Sequence, residues 1–154
     1  MSSSSEKVEV VSGEQRVAML TTEIIPKVSS KVDCVFQFHQ TLETFLDSII
    51  NLKKQYIKVR LVTEITRDNL PYYKEITKHI DIRHLDSVKG SFMVCDGREY
   101  LGYILGKQSE RLEMLHITME TFVEAQQYVF DALWTDAVPF KDKLLEIEEP
   151  HKRQ

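Results

Sequence analysis

Cysteines, long apolar runs and a leader-like start are scarce or absent in this sequence. The 154 residues include only two cysteines, Cys34 and Cys95, both inside apolar runs. We therefore expect free buried thiols rather than a disulfide framework, as is usual inside cells. The start, MSSSSEKVEV, has neither a positive nor an apolar stretch, so it predicts no signal peptide. No apolar run approaches the roughly 18 residues that cross a bilayer. These absences predict a cytoplasmic protein with no membrane partner.

The sequence also lacks an excess of positive charge and the usual signatures of cofactor sites. Its 20 basic and 24 acidic residues give a net charge of −4, whereas non-specific nucleic-acid binders are usually basic, so we expect no nucleic-acid partner. A mild basic cluster of Lys53, Lys54, Lys58 and Arg60 alternates with apolar residues, which favours a solvated or ion-paired role. No histidines have the i, i+4 spacing of a helical metal pair, and no glycine-rich phosphate loop occurs. We expect neither a metal nor a cofactor.

Strand and helix patterns alternate between Lys58 and Leu105. The segments KVRLVTEI, DNLPYYKEITKH and IDIRHL read as strand, capped helix and strand, an order that implies parallel pairing. FMVC followed by Asp96-Gly97 predicts a strand that enters a tight hairpin. Apolar spacing predicts further helices before and after this region. The predicted class is α/β: a three-layer α/β/α sandwich around a mixed, mostly parallel sheet of four or five strands with a C-terminal hairpin.

We divide the chain into three parts. Residues 1–7 are predicted to be a disordered, serine-rich lead, and residues 8–138 a single α/β domain, in which the polar stretch from Gly106 to Glu113 is a loop. Residues 139–154 are predicted to be a helical tail or linker, because KDKLLEIEE is charged and has few residues to bury. Such a tail would lead to a second domain or a partner chain.

The order of elements resembles one half of a phospholipase D-type domain, and the segment GSFMVCDGREYLGYI resembles the hairpin that carries the catalytic motif of that family. The order also resembles the effector domain of archaeal TrmB-type transcription regulators. KVRLVTEITRDNLPYYKEI, IRHLDSVKGSFMV, REYL and QQYVFDALWTDAVPFKDKLLEIEE resemble the N-terminal input region of archaeal sensor histidine kinases of the thaumarchaeal type, from about Ala18 to Glu149. That resemblance implies a regulatory domain.

The catalytic motif of the phospholipase D family, His-x-Lys-x4-Asp, is incomplete in this sequence. Counting back from Asp96, Lys89 stands in the place of the histidine and Ser91 in the place of the lysine. The motif needs imidazole as the nucleophile and ammonium to hold the phosphate oxygens. A half-domain would also have to dimerise to supply two motifs. We therefore expect no catalytic residues and no enzymatic activity.

Polar residues gather at the ends of the predicted strands, where open α/β sheets usually bind ligands. Together they could bind a small polar or anionic ligand through charge-assisted hydrogen bonds; the alternative is a solvated loop with a structural ion pair. The candidate ligand-binding residues are Thr63, Glu64, Thr66, Arg83, His84, Lys89, Ser91 and Asp96.

The leading functional hypothesis is a non-enzymatic sensor domain of an archaeal signalling system. It would bind a small ligand or a partner protein and relay the change through the C-terminal helix to a fused or partner kinase, with a homodimer as a further expected partner. The alternatives are a degenerate phospholipase D-type phosphodiesterase and the effector domain of a transcription regulator.

Overall fold

The computed structural model describes residues 6–105 and 112–149. Its five helices are α1 (Glu14–Ile24), α2 (His39–Lys54), α3 (Leu70–Ile76), α4 (Glu120–Asp136) and α5 (Phe140–Glu148). Its strands are β1 (Val8–Ser12), β2 (Lys31–Val35), β3 (Lys58–Thr63), β4 (Asp81–His84), β5 (Ser91–Cys95), β6 (Glu99–Leu105), β7 (Leu112–Ile117) and β8 (Val138–Pro139). None of the described helices is both long and apolar enough to cross a membrane.

All eight strands form one sheet in the order β1-β7-β6-β5-β2-β3-β4-β8. Only β2 with β3 and β3 with β4 pair in parallel, and each parallel step is bridged by a helix. The carboxyl ends of the parallel strands lie along one side of the sheet, across the strand direction, and we call this side the carboxyl edge. Their amino ends lie along the opposite side, which we call the amino edge; both names refer to the ends of strands and not to the outermost strands β1 and β8. Strand β5 runs the other way, so it begins at the carboxyl edge beside Val35 and ends at the amino edge.

Helices cover both faces of the sheet, which gives the predicted three-layer α/β/α class. The larger core lies on the face covered by α1, α2, α3 and α5, and α2 contributes Leu42, Phe45, Ile49 and Leu52 to it at helical spacing. The smaller core lies under α4, where Phe130 packs against Val35 and Val62 of the central strands. Cys34 and Cys95 are free and buried, as predicted.

The sheet differs from the predicted one in size and direction. It has eight strands rather than four or five, and five of its pairs are antiparallel, so the prediction of a mostly parallel sheet is wrong. The reason is the length of the connections: three residues separate β5 from β6 and six separate β6 from β7, whereas a parallel pair needs a crossover of a dozen or more residues. The strands β1, β7 and β8 are not among those predicted from the sequence.

Three of the predicted segments lie partly outside the described residues. These parts are residues 1–5 of the predicted lead, residues 106–111 of the predicted loop and residues 150–154 of the predicted tail. The described part of the tail forms α5, which packs Phe140, Leu144 and Ile147 against the larger core. Its role as a linker stays a prediction.

Candidate functional site

Two of the predicted ligand-binding residues are buried at the carboxyl edge, where their polar atoms have partners within the chain. The Thr63 hydroxyl donates to the carbonyl oxygen of Phe36 at 2.8 Å. His84 accepts the backbone N–H of Ile65 at Nδ1, at 2.8 Å, so its proton lies on Nε2, which donates to Asp86 at 2.7 Å. This hydrogen bond lowers the pKa of the exposed Asp86 carboxyl. Thr63 thus ties the end of β3 to the residue after β2, and His84 ties the end of β4 to the segment after β3.

Three further predicted residues of this region, Arg83, Glu64 and Thr66, make other contacts. Arg83 lies on the opposite face of the sheet from His84, because neighbouring residues of a strand alternate in direction. Its guanidinium donates to the carbonyl oxygen of Trp134 at 2.7 Å and lies 4.3 Å from the centre of the indole ring. Thr66 takes part in a local turn with Asn69, and the carbonyl oxygen of Glu64 accepts from the same asparagine side chain.

The positions of the incomplete catalytic motif are divided between the two edges of the sheet. Lys89 is exposed and Ser91 is half-buried at the carboxyl edge, where the Ser91 hydroxyl accepts the backbone N–H of Gln37 at 3.1 Å. The Gln37 side chain accepts the N–H of Gly90 at 3.0 Å. Asp96 follows the five residues of β5, so it lies about 16 Å from Ser91, at the amino edge. The structure therefore does not bring Asp96 together with the other predicted ligand-binding residues. Ligand binding by that set stays a prediction.

Asp96 binds the backbone that leads into β2. One carboxylate oxygen accepts the N–H of Ser30 at 2.8 Å and that of Lys31 at 3.1 Å, and the other accepts the N–H of Ser29 at 2.9 Å. Partial burial raises the pKa of Asp96, but these bonds and the one from the Ser30 hydroxyl outweigh it and lower the pKa to about 2. Asp96 has φ of 55° and Gly97 φ of 66°, as a tight hairpin requires. The carboxylate thus fixes the turn against β2.

A buried charge lies under α4, next to this edge. Asp33 is fully buried and accepts two hydrogen bonds from Arg60, at 2.8 and 3.0 Å, and one from Gln127 at 2.8 Å. The hydrogen bond to Asp33 raises the pKa of the Arg60 guanidinium. Arg60 also reaches the exposed Asp131 at 3.3 Å. These contacts attach α4 to the central strands, and sequence analysis did not predict them.

Lysines concentrate at the amino edge. Lys31 and Lys58 begin neighbouring parallel strands and are directly opposite each other in the register. The turn after α2 is joined to β2 by the hydrogen bond from Lys58 N–H to the carbonyl oxygen of Ser30, at 3.1 Å. We call the surface formed by these segments the basic edge; its lysines are Lys27, Lys31, Lys53, Lys54 and Lys58.

The lysines of the basic edge have few ion-pair partners, although two carboxylates lie near them: Asp96 is bound to the backbone that leads into β2, and Asp81, the first residue of β4, lines a groove with Lys58. Lys31 lies 3.7 Å from the buried Asp33, but in the described ranges no ion pair joins the other four lysines, which are all exposed. Among them stands Tyr56, which is 96% exposed and has φ of 64°. A bulky residue is unfavourable in that backbone region. Neither packing nor backbone preference therefore accounts for an aromatic ring at this position.

Part of this surface is visible in the sequence as the basic cluster of Lys53, Lys54, Lys58 and Arg60, for which a solvated or ion-paired role is predicted. Arg60 does not belong to the surface, because it points under α4 and is paired with Asp33. Lys27 and Lys31 join the cluster through the parallel register of β2 with β3. The available signal was the start of two consecutive strands with lysine, since parallel strands begin at the same edge.

Comparisons with known proteins bear on the fold. No protein-family model and no curated protein matches the sequence. Among solved structures, TrmBL2, described as an archaeal chromatin protein with a novel mode of DNA binding, matches with a TM-score of 0.70 and 17% identity over 90% of this chain and 56% of its own. The chain thus spans little more than half the length of TrmBL2.

Two further matches span nearly whole proteins. Nuc from Salmonella typhimurium, described as a phospholipase D family member, matches with a TM-score of 0.71 and 12% identity over 88% of this chain and 99% of its own. NucT from Helicobacter pylori gives a TM-score of 0.68 and 13% identity over 88% of this chain and 100% of its own. This chain has the phospholipase D-like fold.

The comparisons also correct one expectation. The prediction that this chain has no nucleic-acid partner is wrong as drawn from net charge, because a DNA-binding chromatin protein shares the fold. A net charge averages over the whole surface and does not describe a single edge. The neighbours named here include no sensor histidine kinase, so that resemblance and the signalling role stay predictions.

Proposed function

We propose that this chain is a non-catalytic phospholipase D-like domain that binds nucleic acid through the basic edge. The observation that carries the proposal is the cluster at the basic edge of four exposed lysines, which form no ion pair with any described residue, and the almost fully exposed Tyr56. The DNA-binding description of TrmBL2, a protein of the same fold, supports this choice of ligand.

The chemistry of the basic edge fits a phosphate backbone. Ammonium groups on flexible stems neutralise phosphates as point charges and release their counterions, which makes binding strongly dependent on salt. Such contacts fix position without reading sequence. The Tyr56 ring offers a face on which a base can stack, which would contribute about 1–3 kcal/mol per base. We therefore expect binding with little sequence preference.

The carboxyl edge is chemically unsuited to the same role. The described charged residues around its loops include Glu43, Glu64, Asp68 and Asp86, which repel phosphate, against the exposed Lys89 and Arg67. Arg67 donates to the carbonyl oxygen of Ile147 at 3.3 Å. With lysine at position 89 and serine at position 91, the motif positions hold no imidazole that would attack phosphorus, and the imidazole of His84 at this edge is buried and bonded to Ile65 and Asp86.

The test is fluorescence anisotropy of a labelled oligonucleotide, with salt titrations. The variant Lys54→Gln/Lys58→Gln removes two cations of the basic edge and should flatten the slope of log K against log salt by about 2. The control Lys74→Gln/Lys89→Gln removes the same charge elsewhere and should leave the slope unchanged. Equal effects of the two variants, or no salt-dependent binding, would contradict the proposal. We expect the oligonucleotide to remain intact throughout.

A second candidate is the sensing role predicted from the sequence, which one observation favours. A cavity of about 780 Å³ adjoins the basic edge and shares Lys27 with it. His116, which lines the cavity, is 3% exposed; its Nε2 lies 2.7 Å from Glu99, and its Nδ1 has no hydrogen-bond partner among the described residues. Native mass spectrometry of the purified protein tests this role: a bound small molecule that is lost in His116→Ala would support it, and no bound molecule would count against it.

A further inference from the structure

Among the described residues, no strand pairs with the outer side of β1, the first strand in the order of the sheet. Lys7 and Gly13, on either side of it, both bond to the β7 segment: the Thr118 N–H donates to the carbonyl oxygen of Lys7 at 2.9 Å, and the Gly13 N–H donates to that of Leu112 at 2.8 Å. Because bonding alternates along an antiparallel strand, the backbone groups of Glu9 and Val11 also face β7. Those of Val8, Val10 and Ser12 therefore point outward from the sheet.

Two apolar side chains of this strand are also exposed. Val8 and Val10 lie on the face of the sheet that α1 does not cover, and each is 59% exposed. An edge strand with free backbone groups and apolar side chains is a template for pairing unless it is blocked. The far edge of the same sheet is blocked, because β8 has only two residues, one of them Pro139, and leads directly into α5.

Helix α1 presents a self-complementary stripe beside this open edge. Arg16, Met19 and Glu23 are spaced i, i+3, i+7 and line, together with residues of β1, a groove of about 350 Å³. Met19 is 61% exposed. The stripe has a positive residue at one end, an apolar residue in the middle and a negative residue at the other end. Two copies of it placed antiparallel would bring opposite charges together at both ends.

We propose that β1 pairs with β1 of a second copy of this chain, antiparallel about a two-fold axis at Val10. In this register Val10 is opposite its own copy, Val8 is opposite Ser12, and Glu9 is opposite Val11. The outward backbone groups of the two strands meet and form about six hydrogen bonds, two for each bonded pair. In this register no like charges lie opposite each other, whereas a two-fold axis at Glu9 would place the two Glu9 carboxylates opposite each other.

The same two-fold axis brings the two α1 helices together. Helix α1 packs over β1 and β7, and strands lie about 4.8 Å apart, so the axes of the two helices come to lie roughly 10 Å from each other. This is close to the 8–10 Å at which packed helices lie. Arg16 then faces Glu23 of the other copy at each end of the contact, and the two Met19 side chains meet at its centre. Sheet pairing and helix packing are satisfied by one symmetry operation, as a closed dimer requires.

The test is a charge reversal followed by mass measurement in solution over a range of concentrations. Wild type should form a dimer; Arg16→Glu and Glu23→Arg should each shift the equilibrium towards monomer by tenfold or more; and the double variant should restore the dimer. Circular dichroism checks that each variant is folded. A wild type that stays monomeric at high concentration, or single reversals without effect, would overturn the proposal.

Hydrogen exchange gives a second readout that does not depend on these substitutions. In the dimer the amides of Val8, Val10 and Ser12 should be protected, and the protection should disappear on dilution to the monomer. The amides of Glu9 and Val11, which face β7, should stay protected in both states. Rapid exchange at Val8, Val10 and Ser12 in the dimer would show that another surface pairs.

Discussion

Replacing Asp96 by Asn tests whether the surviving residue of the incomplete motif has a structural role. The carboxylate accepts three backbone N–H groups and the Ser30 hydroxyl, all from the segment that enters β2. An amide has only one acceptor oxygen, so the substitution removes the charge and points an N–H₂ group at a backbone donor. Asn tolerates the positive φ of this position, so backbone strain does not contribute to the result.

The expected cost follows from the lowered pKa. A fall from the ordinary value of 3.8 to about 2 corresponds to roughly 2.4 kcal/mol of stability at neutral pH. Because the carboxylate is partly exposed, solvent screening reduces this to about 1–2 kcal/mol. A carboxyl whose pKa is lowered in the folded state stabilises the fold above its unfolded pKa, and that contribution is lost as the pH falls through the folded pKa. The stabilisation should therefore fade between about pH 4 and pH 2.

Urea unfolding of wild type and Asp96→Asn at several pH values measures this directly. The difference in unfolding free energy should be about 1–2 kcal/mol at pH 7 and should shrink below pH 4. Asp47→Asn, at an exposed position of α2, is the control and should show a much smaller difference. A difference that stays constant from pH 7 to pH 2, or no destabilisation at pH 7, would refute the assigned role.

Two further predictions concern the buried charge and the exposed ring. Asp33→Ala leaves Arg60 without its buried partner, so we expect the free energy of unfolding, measured by chemical denaturation, to fall by about 3–5 kcal/mol. The control Asp131→Ala, at the exposed end of the same network, should lower it by less than about 1 kcal/mol. Equal losses in the two variants would contradict the larger contribution assigned to the buried Asp33. Tyr56→Gly relieves an unfavourable φ and should leave the free energy of unfolding unchanged or raise it by up to about 1 kcal/mol. The same variant should bind the oligonucleotide more weakly in the anisotropy assay. Unchanged binding would exclude base stacking on the Tyr56 ring.

The fold class could be predicted from the sequence because its strongest signals are local. Met93, Val94 and Cys95 of the run FMVC are buried on both faces of β5, Asp96-Gly97 forms the turn, and Pro71 falls in the first turn of α3. The edge strands could not be predicted in the same way. VEVVS follows directly on a serine-rich stretch, and a short strand gains its stability from pairing with β7 rather than from its own composition.

The site was harder to predict because it depends on which residues the sheet brings together. Arg83 and His84 are neighbours in the sequence but lie on opposite faces, whereas Ser91 and Asp96 belong to one motif but lie at opposite edges. Lys31 and Lys58 are far apart in the sequence and meet only through the register of β2 and β3. Net charge concealed the basic edge, since a sum carries no information about position.

Chemical-shift mapping of the backbone amides during titration with a short oligonucleotide tests the nucleic-acid proposal most directly. We predict that the largest changes fall on residues 27–31 and 53–58, with smaller ones at the turn after β5, and that they weaken as salt is added. Changes centred instead on Gln37, Lys89 and Ser91 would place the nucleic acid at the carboxyl edge and contradict the account, as would a spectrum that does not change at all.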